Sequence, residues 1–121
     1  MTILNVVQFA LAPEQLALFV VFNNQHQCKF NYEFLRVYSP SGMENANSPL
    51  VTHKKQVKLL RIEPVAQYGY RFIFDDEHSA IYGCEHLFML YQQKEALWQK
   101  YLTAIAQSGH SREASIDIKQ L

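Results

Sequence analysis

The sequence predicts an α+β fold: a small, mainly antiparallel β-sheet of about five or six strands, with one long C-terminal helix packed on or beside it. Three observations carry this expectation. Short apolar or alternating runs, punctuated by Asn, Gly and Pro, fill the chain from Val6 to Phe74. Tyr68, Tyr70, Phe72 and Phe74 alternate, which places their rings on one face of a strand. From Cys84 to Gln107 the apolar spacing changes to three and four residues, the repeat of an amphipathic helix.

Taken in order, Val6 to Phe9 reads as a first strand, stopped by Ala12, Pro13 and Glu14. Leu16 to Phe22 is apolar on both faces and reads as a central strand. Asn23 and Asn24 tolerate left-handed backbone, so the chain turns there and returns through Cys28, Phe30 and Tyr32. Ser39 to Pro49 is rich in Pro, Gly, Asn and Ser and reads as an exposed loop. Val57 to Glu63 and Tyr68 to Phe74 then form a hairpin about a turn at Pro64 to Gln67. The helix carries Leu87, Leu90, Tyr91, Leu97, Trp98, Tyr101, Leu102 and Ile105 on one stripe, with Lys94 its polar exception, and Ser108 and Gly109 stop it. Residues 1–112 read as one domain and 113–121 as a flexible tail; no internal repeat is evident.

With 121 residues and 49% hydrophobic content, the chain suffices for its own core without metal or disulfide support. Eleven basic and eleven acidic side chains balance, which argues against nucleic-acid and anionic-membrane partners. Two cysteines and the lack of a secretory leader pattern predict a reducing, cytoplasmic setting. The longest apolar run, Leu16 to Phe22, is far below the roughly 20 residues that span a bilayer.

Several side-chain groups invite a chemical reading. His26 with Cys28 and Cys84 with His86 repeat one spacing, and together they would form a Cys2His2 metal set if they met in space. Cys84 at a helix start would have a lowered thiol pKa, although His86 two residues on points away from it. No nucleophile elbow, phosphate loop or zinc-protease helix is present in the sequence. His53, Lys54, Lys55, Lys58 and Arg61 form a basic run set against acidic Asp75, Asp76 and Glu77, the pattern of a solvated rim. Arg36, Tyr38, Ser39, Pro40 and Ser41 begin the loop, and Arg and Tyr are the types that dominate protein interfaces. The bland reading is a tight turn with Arg36 tied to a nearby carboxylate.

Leu35, Arg36, Val37, Tyr38, Ser39, Pro40 and Ser41 resemble the Leu-Arg-x-x-Ser-Pro-Ser signature of small bacterial proteins similar to the N-terminal domain of gamma-butyrobetaine hydroxylase. Further blocks agree: Ile62 to Val65 with Tyr68; Phe74, Asp75, Asp76 and His78 with Ile81 and Tyr82; and Leu97, Trp98, Tyr101 and Leu102 with Gly109, Ser111 and Arg112. In the eukaryotic hydroxylase domains the loop supplies three cysteines that bind zinc with a later histidine. Those positions fall on Ser39, Ser41 and Glu44 here, with Glu77 or His78 at the histidine's place, so the resemblance implies that the family zinc site is absent.

Relatives of this domain are fused to an iron and 2-oxoglutarate dioxygenase or to an iron–sulfur carrier ATPase. The resemblance therefore implies a non-catalytic accessory or docking module, linked to iron–sulfur cluster delivery or metalloprotein maturation. Its partner would be an iron–sulfur carrier or a metalloenzyme, and it would need no cofactor. The alternative is a metal-binding domain holding zinc or iron through His78, or through His26, Cys28, Cys84 and His86. A homodimer would be expected if the aromatic sheet face were left open.

Overall fold

A computed structural model describes residues 4–40, 54–67 and 69–109. Most of the expected Ser39–Pro49 loop, with Ser41 and Glu44, lies outside the described residues, as do His53, Tyr68, Ser111, Arg112 and the tail.

The strands form two antiparallel three-stranded sheets rather than one. β1 (Val6–Ala12), β2 (Ala17–Phe22) and β3 (Gln27–Asn31) make the first, with β2 central. β4 (Leu59–Val65), β5 (Gly69–Phe74) and β6 (Ser79–Tyr82) make the second, with β5 central. A short 3-10 turn, Pro13–Gln15, joins β1 to β2 and ends on Leu16 in the left-handed region.

Among the described residues three α-helices accompany the sheets. α1 (Tyr32–Val37) begins directly after β3. The alternation of Cys28, Phe30 and Tyr32 predicts a strand running through Tyr32, but Asn31 turns the chain there, and Tyr32, Phe34 and Leu35 go into the core. The expected long C-terminal helix is two helices, α2 (Cys84–Gln92) and α3 (Lys94–Ser108), separated at Gln93. The physical reason lies in what each one covers. α2 buries Leu87 and Leu90 against the sheets, whereas α3 packs on α1, with Trp98 meeting Phe34 and Leu97 accepting a hydrogen bond from Tyr38. One straight axis does not reach both surfaces. Lys94, the break in the apolar stripe, sits at the elbow and donates to the Lys29 carbonyl at 2.6 Å. Gly109 closes α3 in the left-handed conformation, as its sequence position implied.

Both sheets contribute to one core, which includes Leu18, Val20, Phe22 and Phe30 from the first and Leu59, Phe72, Phe74 and Tyr82 from the second. Phe9 of β1 lies edge-on to Tyr70 and Phe72, with ring centroids 4.8 and 5.9 Å apart, so the aromatic face is covered from within the chain.

The two sheets also repeat one another, which corrects the expectation that the chain has no internal repeat. Val6 pairs with Phe22 and Leu59 with Phe74; each pairing is followed by a register shift, before Gln8 and before Arg61 respectively. The turns after the central strands read Phe22-Asn23-Asn24-Gln25-His26 and Phe74-Asp75-Asp76-Glu77-His78. In both, the Phe amide donates to the His carbonyl at 2.9 Å. The residue before His is left-handed in each case, with φ 72° at Gln25 and 69° at Glu77. The side chains of Asn23 and Asp75 each accept from the backbone amide just ahead of the first strand, Asn5 and Lys58, at 3.0 Å.

Candidate functional site

The described polar groups are most concentrated where α1 meets the turn between β5 and β6. Asp76 accepts from Arg36 Nε at 2.8 Å and pairs with Lys54 Nζ at 2.7 Å. Its other oxygen accepts from the His78 backbone amide at 3.3 Å. Ser39 Oγ lies 2.9 Å from His78 Nε2, and Tyr82 donates its hydroxyl to the Leu35 carbonyl. His86 Nε2 donates to the Tyr38 carbonyl at 2.9 Å. One short segment, Leu35 to Ser39, is therefore held by β6, by the turn that precedes it and by α2.

Local sequence explains the convergence. The left-handed Glu77 reverses the chain so that Asp76 and His78 both face α1. Arg36, in the last turn of α1, lies where a cation is favoured by the helix dipole and within reach of Asp76. Burial opposes ionisation of Asp76, but hydrogen bonds from Lys54 and Arg36 outweigh it and hold the carboxyl below its ordinary range. Burial, then the positive charge of Arg36, pushes His78 below the usual imidazole value, which favours the neutral ring. Burial raises the Tyr38 and Tyr82 hydroxyls.

Ser39, which the resemblance maps onto the zinc site, and His78, one of the two candidates for its histidine, are thus neighbours. A cation placed between them would face the guanidinium of Arg36 and the ammonium of Lys54, and Ser39 offers a neutral hydroxyl in place of a thiolate. The residues present do not fit zinc, and no three His, Cys, Asp or Glu side chains gather as a metal group among the described residues. The four members of the other candidate set have separate surroundings. His26 lies 3.1 Å from the Tyr91 hydroxyl and against Phe88. Cys28 is in the core, and its thiol is pushed up to about 11 by burial. Cys84 starts α2, and His86 lies edge-on to Tyr82. Burial and then Glu85 raise the Cys84 thiol, the reverse of the expected helix-start effect.

The loop residues expected at a docking surface are largely engaged inside the chain. The Arg36 side chain is 15% exposed and ion-paired, and Ser39 is buried. Tyr38 is half-buried, with its hydroxyl donating to Leu97 O at 2.8 Å, and Pro40 is half-buried. The carboxylate-tied turn is the reading that this geometry matches for Arg36. The wider basic and acidic groups divide: Lys54 joins Asp76, whereas Arg61 pairs with Glu63 at 2.9 Å on the exposed sheet face.

Residues 10–88 match the family described as gamma-butyrobetaine hydroxylase-like, N-terminal. The chain belongs to this family. Two solution NMR structures share its architecture. One is 34% identical with TM-score 0.77, over 93% of this chain and 87% of that one. The other is 29% identical with TM-score 0.79, over 96% and 95%. A crystal structure of a DUF971-family protein of unknown function from Acidithiobacillus ferrooxidans shares the fold at 24% identity and TM-score 0.61, over 70% of this chain and 90% of that one. No curated protein matches the chain. No helix among the described residues is long and apolar enough to cross a membrane.

Proposed function

We propose that this family member is a non-catalytic accessory module that docks on a protein partner, in the setting of iron–sulfur cluster delivery or metalloprotein maturation. The observation that carries the non-catalytic part is the commitment of the reactive groups to internal bonds. Asp76 contacts the His78 backbone rather than its ring, so Ser39, His78 and Asp76 do not form a proton relay. Ser39 itself is 1% exposed, and burial raises the Cys28 and Cys84 thiols. Among the described residues a reacting atom would find no activated nucleophile.

The docking part is supported by the apolar side chains left outside. Val7 and Phe19 of the first sheet are 62% and 38% exposed, and Leu60 and Ile81 of the second are 52% and 37% exposed. The metalloprotein setting rests on the family resemblance alone. The metal-binding alternative is disfavoured by the two cations at Asp76.

Affinity capture from the native cytoplasm tests the proposal, comparing the tagged chain with a Val7→Ser, Phe19→Ser variant and an Arg36→Ala, Tyr38→Ala variant. Recovery of an iron–sulfur carrier or metalloenzyme with the unaltered chain, lost in the first variant, places docking on the first sheet; loss only in the second places it at the α1 junction. Absence of any such partner from all three would sink the docking reading.

A further inference from the structure

The repetition of the sheets extends to the helices attached to them. α1 starts after β3 and α2 after β6, with Asn31 and Gly83 extended at their N-caps. Leu35 and Leu87, at matching places in these helices, are both fully buried. Ser39 and Tyr91 stand equally far past the helix starts at Tyr32 and Cys84. Each supplies the hydroxyl that meets a turn histidine, and each meets the histidine of the other unit: Ser39 with His78 at 2.9 Å, Tyr91 with His26 at 3.1 Å. The adjoining contacts cross in the same way. Arg36 of the first unit reaches Asp76 of the second, and Phe88 of the second lies edge-on to Phe22 of the first at 5.2 Å.

We propose that the chain is an intramolecular dimer of one duplicated βββα unit, and that two copies exchange units, the second unit of one pairing with the first unit of another. The partner is a second copy of this chain. Among the described residues no strand pairing joins the two sheets. The junction is therefore made of side-chain and helix packing: Arg36 with Asp76, Tyr82 with the Leu35 carbonyl, Phe9 with Phe72, and Trp98 of α3 with Phe34. Each of these contacts runs from one unit, or the helix after it, to the other. A second copy reproduces them unchanged, so exchange keeps these contacts and costs association entropy.

The test is a charge exchange in a Lys54→Gln background, which leaves Arg36 and Asp76 as the only residues altered further. One chain carries Arg36→Glu, a second carries Asp76→Arg, and a third carries both. The first two each set like charges against one another; the third reverses the pair within one chain. After the first two are unfolded and refolded together, exchange pairs the two substituted positions with each other and the two unaltered positions with each other. The expected result is a mixed species of doubled mass by light scattering, melting about 5 °C or more above either parent. The proposal is overturned if the mixture behaves as the sum of its parents while the third chain regains its melting temperature. Should the third chain not fold, the unaltered protein refolded over a range of concentrations decides. A dimer fraction that rises with refolding concentration and persists on dilution under native conditions supports exchange, and a dimer that falls apart on dilution or a monomer mass throughout overturns it.

Discussion

The turn between β2 and β3 and the turn between β5 and β6 share a backbone but differ in chemistry. Asn23, Asn24 and Gln25 of the first stand where Asp75, Asp76 and Glu77 stand in the second, and both turns close with the same amide-to-carbonyl bonds. An amide oxygen and a carboxylate oxygen can each accept from a backbone N–H, so the turn forms with either. The surroundings are not. Asp76 draws in Arg36 and Lys54, whereas the Asn24 turn is exposed and its histidine rests on the rings of Phe88 and Tyr91. One hairpin is thus gripped by charge and the other by aromatic packing.

Substitutions at matching places can break or sharpen this contrast. The largest effect is expected at Gly69, whose counterpart in the first sheet is the fully buried Ala17. Gly69 has φ 128°, and a Cβ there would lie 2.5 Å from the Tyr82 carbonyl oxygen. Gly69→Ala should cost about 3 kcal/mol in urea unfolding, combining backbone strain with overpacking. A loss below about 1 kcal/mol would show that the second sheet has the freedom of the first.

Next in size, Asp76→Asn makes the second turn chemically like the first. It should keep the hairpin and cost about 2 kcal/mol, because Arg36 and Lys54 lose a partly buried charged partner. Amide exchange at Phe74 should stay slow while α1 exchanges faster; loss of protection at Phe74 as well would mean that the charge also holds the turn.

The acid response arises from the same groups. His78 is depressed in the folded chain, so stability is full above the ordinary imidazole pKa, about 6.5, and falls as pH drops from there towards the folded value. Asp76 is also depressed; its contribution is present above about 3.9 and is lost only as pH falls through the lower folded value. Urea midpoints of the native chain should thus decline in two stages. His78→Gln should remove the upper stage, whereas an unchanged profile would exclude His78 as its source.

The smallest change is expected from Asn24→Asp, which gives the first turn the charge of the second without its cations. In an exposed turn this should alter stability by no more than about 0.5 kcal/mol.

The strands were legible in the sequence because alternation and turn chemistry act locally. Cys28, Phe30, Phe72 and Phe74 declared their inward face by spacing alone, and Gly109 declared the end of α3. The repeat was missed: Phe-Asn-Asn-Gln-His and Phe-Asp-Asp-Glu-His correspond, but the replacement of amides by acids hides the match from a reading based on charge. α1 was missed because its six residues, Tyr32–Val37, are too few to display a helical period. The break at Gln93 was missed because no Gly or Pro marks it.

By itself the sequence determined the class of fold, the strand faces, the turns and, through the signature around Leu35 to Ser41, the family. Each of these depends on residues close together along the chain. Tertiary structure alone decided that there are two sheets, that the C-terminal helix divides, and that Ser39 meets His78 while His26 meets Tyr91. Those outcomes depend on which surfaces remain to be covered once the hairpins exist, and on charges brought together from distant positions such as Arg36 and Asp76. No local pattern in the chain specifies such a pairing.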